Sequence, residues 1–177
     1  DRTFKPYPSC RGTHAPIDCA LDVVNNHNIG PDNIEKAMVH LPQGALNGVL
    51  AKPWEIGEFP HGDAIFSFRF TVATALLHGS VRPRHFTDQA IRDAKVNELI
   101  EKIEFTDLPA DKTGFVVTVR TKDGGEYSGE SEIARGDIPG NPLSRDELLA
   151  KFWDNVEFGG KHTRSDAESL LGLLEDL

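Results

Sequence analysis

The chain has 177 residues, 38% of them hydrophobic, and a formal charge of −9. That is enough to bury a core, as one domain or as one domain with an appendage. The acidic balance and the lack of a basic run make nucleic acid and anionic membrane poor partners, and no apolar run nears the ~20 residues of a membrane span.

Asp1 is followed almost at once by a dense polar loop, with no leading element. That start reads as a piece of a longer protein, and its polarity does not suit a secretory signal. The loop, 5–14, holds a Lys, a Tyr, a Cys, an Arg, a Thr and a His. Pro6 and Pro8 stiffen it and hold their predecessors extended. Gly12 allows a tight turn or a close approach. Thr13 suits a helix N-cap, and Pro16 suits a first helical turn. Unpaired N–H groups and the positive end of a helix favour an anion, and Lys5 and Arg11 add two cations. These residues predict a carboxylate or phosphate site.

Ile17, Ala20, Leu21 and Val24 follow a helical period, which predicts an amphipathic helix ending near Asn25 and Asn26. Residues 34–41 alternate and predict a strand closed by Pro42. The stretch 45–50 has no clear period. The loop 52–63 carries two prolines and two glycines, and is long enough to be functional rather than a simple connector. Residues 64–78 are apolar nearly all round, which predicts one buried helix stopped by Gly79. Arg69 inside it is either snorkelling to the surface or a positioned anion contact. A short helix at 87–92, a longer one at 93–102 and a strand at 103–107 follow. Alternation at 115–120, the Asp123-Gly124 turn signal and a returning stretch at 126–134 predict a hairpin. Together these predict an α+β fold: an antiparallel sheet of three to four strands packed with two main helices in a two-layer sandwich.

Residues 136–142 carry two prolines and two glycines and read as a linker. Ser144 with Glu147 forms a capping box, stapled by Leu143 and Leu148. Leu148, Leu149, Phe152, Trp153 and Val156 then make one apolar stripe. A second capping box is read at Ser165 and Glu168, before Leu170, Leu171, Leu173, Leu174 and Leu177. These two helices pack on the sheet or on a helical body outside this chain; left bare, such a stripe drives association.

The chemistry leaves several readings open. His14 is either an ordinary packed histidine or a neutral base, because nearby cations and a helix N-terminus lower its pKa. Cys10 is either a small packed residue or a thiol nucleophile paired with His14, with Asp18 orienting the ring. His14, Asp18 and Cys19 have helical spacing for a metal, but no recognisable ligand motif supports one, and none is expected. No glycine-rich phosphate loop is present. Two cysteines, Cys10 and Cys19, make no disulfide framework and fit a reducing cytoplasm.

Four stretches in order resemble the MmgE/PrpD family: Lys5-Pro-Tyr-Pro-Ser-Cys-Arg-Gly-Thr-His14 with Ile17 and Asp18; Asp63 through Ser67-Phe-Arg-Phe70 to Leu77; Phe86-Thr-Asp88 with Ile91-Arg-Asp93; and Asn141-Pro-Leu-Ser144. The family includes 2-methylcitrate dehydratase, cis-aconitate decarboxylase and iminodisuccinate epimerase. The resemblance spans essentially the whole chain, but only the C-terminal part of a family member. It implies an all-helical domain first, an α+β domain over 1–140, and a return to the helical domain through 141–177. It further implies a lyase or epimerase without metal or cofactor. Such an enzyme moves a proton beside a carboxylate of a small di- or tricarboxylic acid, in a site between the domains, as a homodimer.

By that resemblance Lys5 faces the substrate, Ser9 and Cys10 fall at pocket positions, and Thr13 and His14 match a common pair. Cys10 stands where some decarboxylases have a histidine. Phe70 replaces a frequent tyrosine, and Arg69 is not the usual neighbour. The expected catalytic residues are His14, Lys5 and Cys10, and the expected substrate-binding residues are Ser9, Arg11, Thr13 and Arg69. The chain alone is expected to be inactive. The competing expectation is a carboxylate-binding or regulatory module without chemistry of its own.

Overall fold

The fold was obtained as a computed structural model that describes residues 2–175. A short strand β1 (Arg2–Thr3) leads through the elbow at 5–13 into α1 (His14–His27). Helix α1 starts three residues before the first periodic position, Ile17. Thr13 does not cap it with its side chain; it closes a 3-10 turn, Arg11–Thr13, with backbone already in the helical region. Asn28 ends the helix at φ 51°, a left-handed conformation that asparagine tolerates, and its N–H bonds to the Val24 carbonyl.

Strand β2 (Ile34–Leu41) keeps the predicted alternation: Ile34, Ala37, Val39 and Leu41 are fully buried. The unassigned stretch holds a single turn, α2 (Gln43–Leu46), and a 3-10 turn, Val49–Ala51. The single helix expected over 64–78 is two, α3 (Pro60–Ile65) and α4 (Phe68–His78). Ser67 separates them by accepting the Phe70 N–H at 3.2 Å, a capping bond that hydrophobicity does not reveal. Inside α4, Thr71 and Thr74 are buried, yet each donates its hydroxyl to a backbone carbonyl one turn back at 2.8 Å. That satisfies polar groups the core would otherwise penalise.

Helices α5 (Asp88–Ile91) and α6 (Ala94–Ile100) are capped by Thr87 and Asp93. They lead to β3 (Ile103–Asp107), β4 (Phe115–Thr121) and β5 (Glu126–Ser131). The sheet order is β3-β2-β4-β5. Strands β2/β4 and β4/β5 pair antiparallel, but β3 joins β2 in parallel, with Val39 opposite Phe105. The sheet is therefore mixed, because the α4–α6 connection crosses over before the chain returns.

Helices α1 and α4 pack together, and α1 lies on β4 and β5. They cover the face bearing Ala37, Val39, Val117 and Val119. Phe68, Phe70 and Ile17 are the largest side chains sealed there, each worth about 1.5–3 kcal/mol of apolar burial. The supposed linker contains β6 (Asp137–Ile138), which pairs with β1. Then follow α7 (Arg145–Gly159), with the expected Ser144–Glu147 capping box, and α8 (Arg164–Glu175). The cap of α8 lies two residues earlier than expected: Thr163 and Asp166 exchange bonds at 3.0 and 3.1 Å. Among the described residues, no helix is long and apolar enough to cross a membrane.

Candidate functional site

The elbow is held from several sides. The Cys10 N–H bonds to the Ile65 carbonyl at 2.9 Å, which fastens the turn to the end of α3. The Ser9 and Thr13 hydroxyls lie 2.8 Å apart, and Thr13 donates onward to the Cys10 carbonyl at 2.8 Å. Ser9 and Thr13 are thus buried and committed to each other. At Gly12 a β-carbon would come within 2.6 Å of Leu50 Cδ1, the tip of a side chain that would have to shift.

Arg11 is turned inward. Its guanidinium donates to the carbonyls of Arg135 at 2.6 Å and Ala134 at 2.9 Å, and pairs with the Asp137 carboxylate at 2.7 Å. It also lies 3.0 Å from Nδ1 of His14. A guanidinium has no lone pair, so the imidazole accepts at Nδ1 and carries its proton on Nε2. Arg11 is thereby occupied within the protein and is not a free carboxylate anchor, contrary to the expectation from its position.

His14 is fully buried, and its Nε2 has no partner. Burial first, then the Arg11 charge, lower its pKa to about 4. The Ser9 carbonyl favours the protonated ring without reaching hydrogen-bond geometry. That same carbonyl accepts from Lys5 Nζ at 3.2 Å, so Lys5 and His14 meet at one backbone oxygen. Lys5 is exposed and Cys10 half-buried.

The Cys10–His14–Asp18 arrangement is not assembled. Asp18 accepts from the Tyr7 hydroxyl at 2.5 Å and the Arg135 N–H at 2.8 Å, while His14 Nδ1 belongs to Arg11. Burial raises the Asp18 pKa, against the pull of those two bonds. Burial and Asp18 push the Tyr7 phenol well up, so it stays a donor. Cys19 is sealed in the core, donates to the Phe115 carbonyl at 3.3 Å, and is pushed up to about 12 by burial. It is an inert thiol. Arg69 bonds to the Ile103 carbonyl and lies 4.4 Å over the Phe105 ring. Its contacts are with β3 rather than with the elbow.

Sequence reasoning passed over Tyr7, Arg135 and Asp137, and gave Asp18 a different task. Asp18 and Arg11 clamp the 134–137 segment onto the elbow, and Arg135 continues to Glu147 on α7 through an ion pair. The detectable signal was the Arg135-Gly136-Asp137 run. Gly136 has φ 90°, and a β-carbon there would collide with the Phe4 carbonyl. Tyr7, Asp18 and Arg135 also line a cleft of about 420 Å³ that reaches Lys151 and Asp154 on α7. None of Lys5, Ser9, Cys10, Arg11, Thr13 or His14 lines it. Among the described residues, no group of three or more His, Cys, Asp or Glu side chains is arranged to hold a metal ion.

A family model, the MmgE/PrpD C-terminal domain, matches residues 7–173. The chain belongs to the MmgE/PrpD family. Among curated proteins, none matches it. The matched span of this MmgE/PrpD domain takes in most of the elbow, the whole four-stranded sheet and α7, and ends within α8. The family is of lyase and isomerase type, and this chain sets a buried, neutral His14 near the exposed Lys5.

Proposed function

We propose that this MmgE/PrpD domain forms one wall of the active site of a metal-independent lyase or epimerase, of dehydratase or decarboxylase type. The substrate is a small di- or tricarboxylic acid, and the reaction moves a proton at carbon beside a carboxylate. The observation that carries this reading is the buried, unpartnered Nε2 of a neutral His14, one carbonyl away from the exposed Lys5 ammonium. A buried polar atom without a partner costs about 1–3 kcal/mol, and acid–base use is a reason to retain it.

Lys5 pairs with a substrate carboxylate and so brings the acid to the elbow, where His14 acts through its Nε2–H as a donor; the ring takes up a proton only at Nδ1, when Arg11 releases that nitrogen. Cys10, half-buried on the same turn, is the second group within the elbow that can act on the acid. Arg11 keeps the ring neutral and oriented and is a positioning residue. The opposite wall comes from the family's N-terminal helical domain. Residues 141–177 return to that domain, and the bare Leu170, Leu173 and Leu174, each at least 50% exposed, support this. The working enzyme is a homodimer in the cytoplasm, where two free thiols are stable.

The test is turnover of 2-methylcitrate, cis-aconitate and iminodisuccinate by the chain alone and by the chain joined to the helical domain. Turnover of one of them by the joined protein, lowered in Lys5→Met, is expected. Full turnover by the chain alone defeats the shared site, and turnover of none by either form defeats the reading itself. The second reading, a regulatory carboxylate-binding module, draws on the cleft under α7, which lies wholly within this chain. It requires saturable binding of these acids by the chain alone, abolished by substitutions in the cleft.

A further inference from the structure

Helix α7 lies over the cleft of about 420 Å³ without sealing it. None of its residues is buried, and it is held at two points: Glu147 pairs with Arg135, and Asp154 pairs with Arg82. Lys151 stands between these two acids on the same helix face, at i+4 from Glu147 and i−3 from Asp154. Helix α1 turns a matching row to the cleft, Asp18, Asp22 and Asn25, at the same spacing. The segment at 79–82 forms the third side. Gly79 brings that segment close to α1, for a β-carbon there would come within 3.1 Å of Asn25 Oδ1.

Most of the charges in this cleft are already answered. Arg135 and Arg82 are occupied by Glu147 and Asp154. Asp18 accepts from the Tyr7 hydroxyl and the Arg135 N–H. Asp22 takes one bond, from Asn26 Nδ2 to its Oδ1 at 2.5 Å, which leaves Oδ2 open. Among the described residues, Lys151 has no hydrogen-bond or ion-pair partner. One ammonium on α7 and one carboxylate on α1 therefore line the same space, uncommitted and not paired with each other. Leu21, Val81 and Leu143 supply apolar surface to the lining.

We infer that the cleft is a binding site for a small zwitterion, a carboxylate and an ammonium joined by a short hydrocarbon chain. The carboxylate meets Lys151, the ammonium meets Asp22, and the chain lies on the apolar lining. The two open charges cancel, which suits a ligand of no net charge. A dicarboxylate would find one cation and an unshielded Asp22; a diamine would find one carboxylate and an unshielded Lys151. The bound zwitterion bridges α1 and α7, and so adds a third tie to a helix otherwise held over the cleft by two ion pairs. The site uses none of the elbow's Lys5, Cys10 or His14, so it stands apart from the acid chemistry proposed above. Its guest also differs from the polycarboxylic acids of the second reading.

δ-Aminovalerate, adipate and cadaverine have nearly the same length and differ in the charges at their ends. The experiment is calorimetric titration of the chain with each of them. δ-Aminovalerate is expected to bind at least about tenfold more tightly than either of the others. Lys151→Met and Asp22→Asn are each expected to weaken it about tenfold. Their thermal midpoints without ligand should stay near the parent value, because Asp22 is exposed and Lys151 is unpaired. Asp22→Lys and Lys151→Asp should each abolish binding, and the two together should recover it with the ligand reversed, a result that a role in folding alone does not produce. Adipate binding as tightly as δ-aminovalerate overturns the zwitterion and favours the second reading. Equal affinities for all three, no measurable binding of any, or binding indifferent to both Lys151→Met and Asp22→Asn overturns the site.

Discussion

Arg11 Nη2 and the Asp137 carboxylate lie 2.7 Å apart, joining the elbow near the start of the chain to β6 beyond the sheet. The same guanidinium fills the carbonyls of Ala134 and Arg135 and the Nδ1 of His14. One side chain thus fixes both the position of the 134–137 segment and the tautomer of the candidate proton carrier.

Arg11→Met should cost roughly 2–4 kcal/mol of stability, because several charge-assisted bonds are lost together and their acceptors are left in place. It should also raise the His14 pKa, since the guanidinium charge lowers it. Urea unfolding and an NMR titration of the His14 ring measure the two effects. An unchanged unfolding midpoint would show that the clamp is dispensable.

Acid should weaken the fold in a defined window. His14 and His85 are each lowered to about 4, by burial first, from the ordinary histidine value of 6.5. The unfolded chain therefore binds more protons than the folded one between these values. Stability is full above about pH 7 and falls as the pH drops from 6.5 toward 4, by on the order of 1–2 kcal/mol per histidine at pH 5. Asp18, whose pKa is raised, works in the opposite direction and softens the loss. Urea midpoints at pH 7 and pH 5 should differ less in a His14→Gln, His85→Gln variant than in the parent.

Lys5→Met should reduce kcat/KM of the joined enzyme by roughly 10- to 100-fold, the value of one charged contact to a carboxylate. Its folding should hardly change, because Lys5 is exposed and its bond to Ser9 is a single one. A fall in activity matched by a fall in thermal midpoint would assign Lys5 to structure instead.

Gly129 marks a close contact of α1 with the sheet: a β-carbon there would run into the Cys19 carbonyl. Gly129→Ala should cost roughly 1–3 kcal/mol, as overpacking at an unyielding backbone contact does. Gly30→Ala, at φ −71° with nothing within 4 Å, gives the control for the backbone effect of replacing glycine.

Bare leucines on α8 predict self-association of the chain by itself. Leu173 and Leu174 are 68% and 52% exposed. Leu173→Glu with Leu174→Lys should lower the apparent mass in sedimentation at high concentration and leave the thermal midpoint near the parent value.

The elements were largely legible where one periodicity ran without interruption. Strand β2 and strand β3 fall at their expected bounds, because alternation or an apolar run between turn signals suffices there. The break at Ser67 was not legible, since Phe66 and Phe68 continue the apolar pattern across it. Nor was the parallel pairing of β3, which depends on where the α4–α6 crossover returns. In the site, the elbow stood out by composition, but its partners at 134–137 looked like a linker.

The residues by themselves determined that an α+β domain with a stiff, cationic elbow before a helix would form, because proline, glycine and hydrophobic period act over a few neighbouring positions. Only the tertiary structure decided that Arg11 faces inward, that Asp18 holds Tyr7 rather than His14, and that Trp54 stacks on Phe70. Those outcomes depend on which distant carbonyls, carboxylates and rings the packed sheet brings within a few ångströms, and chain order does not encode that directly.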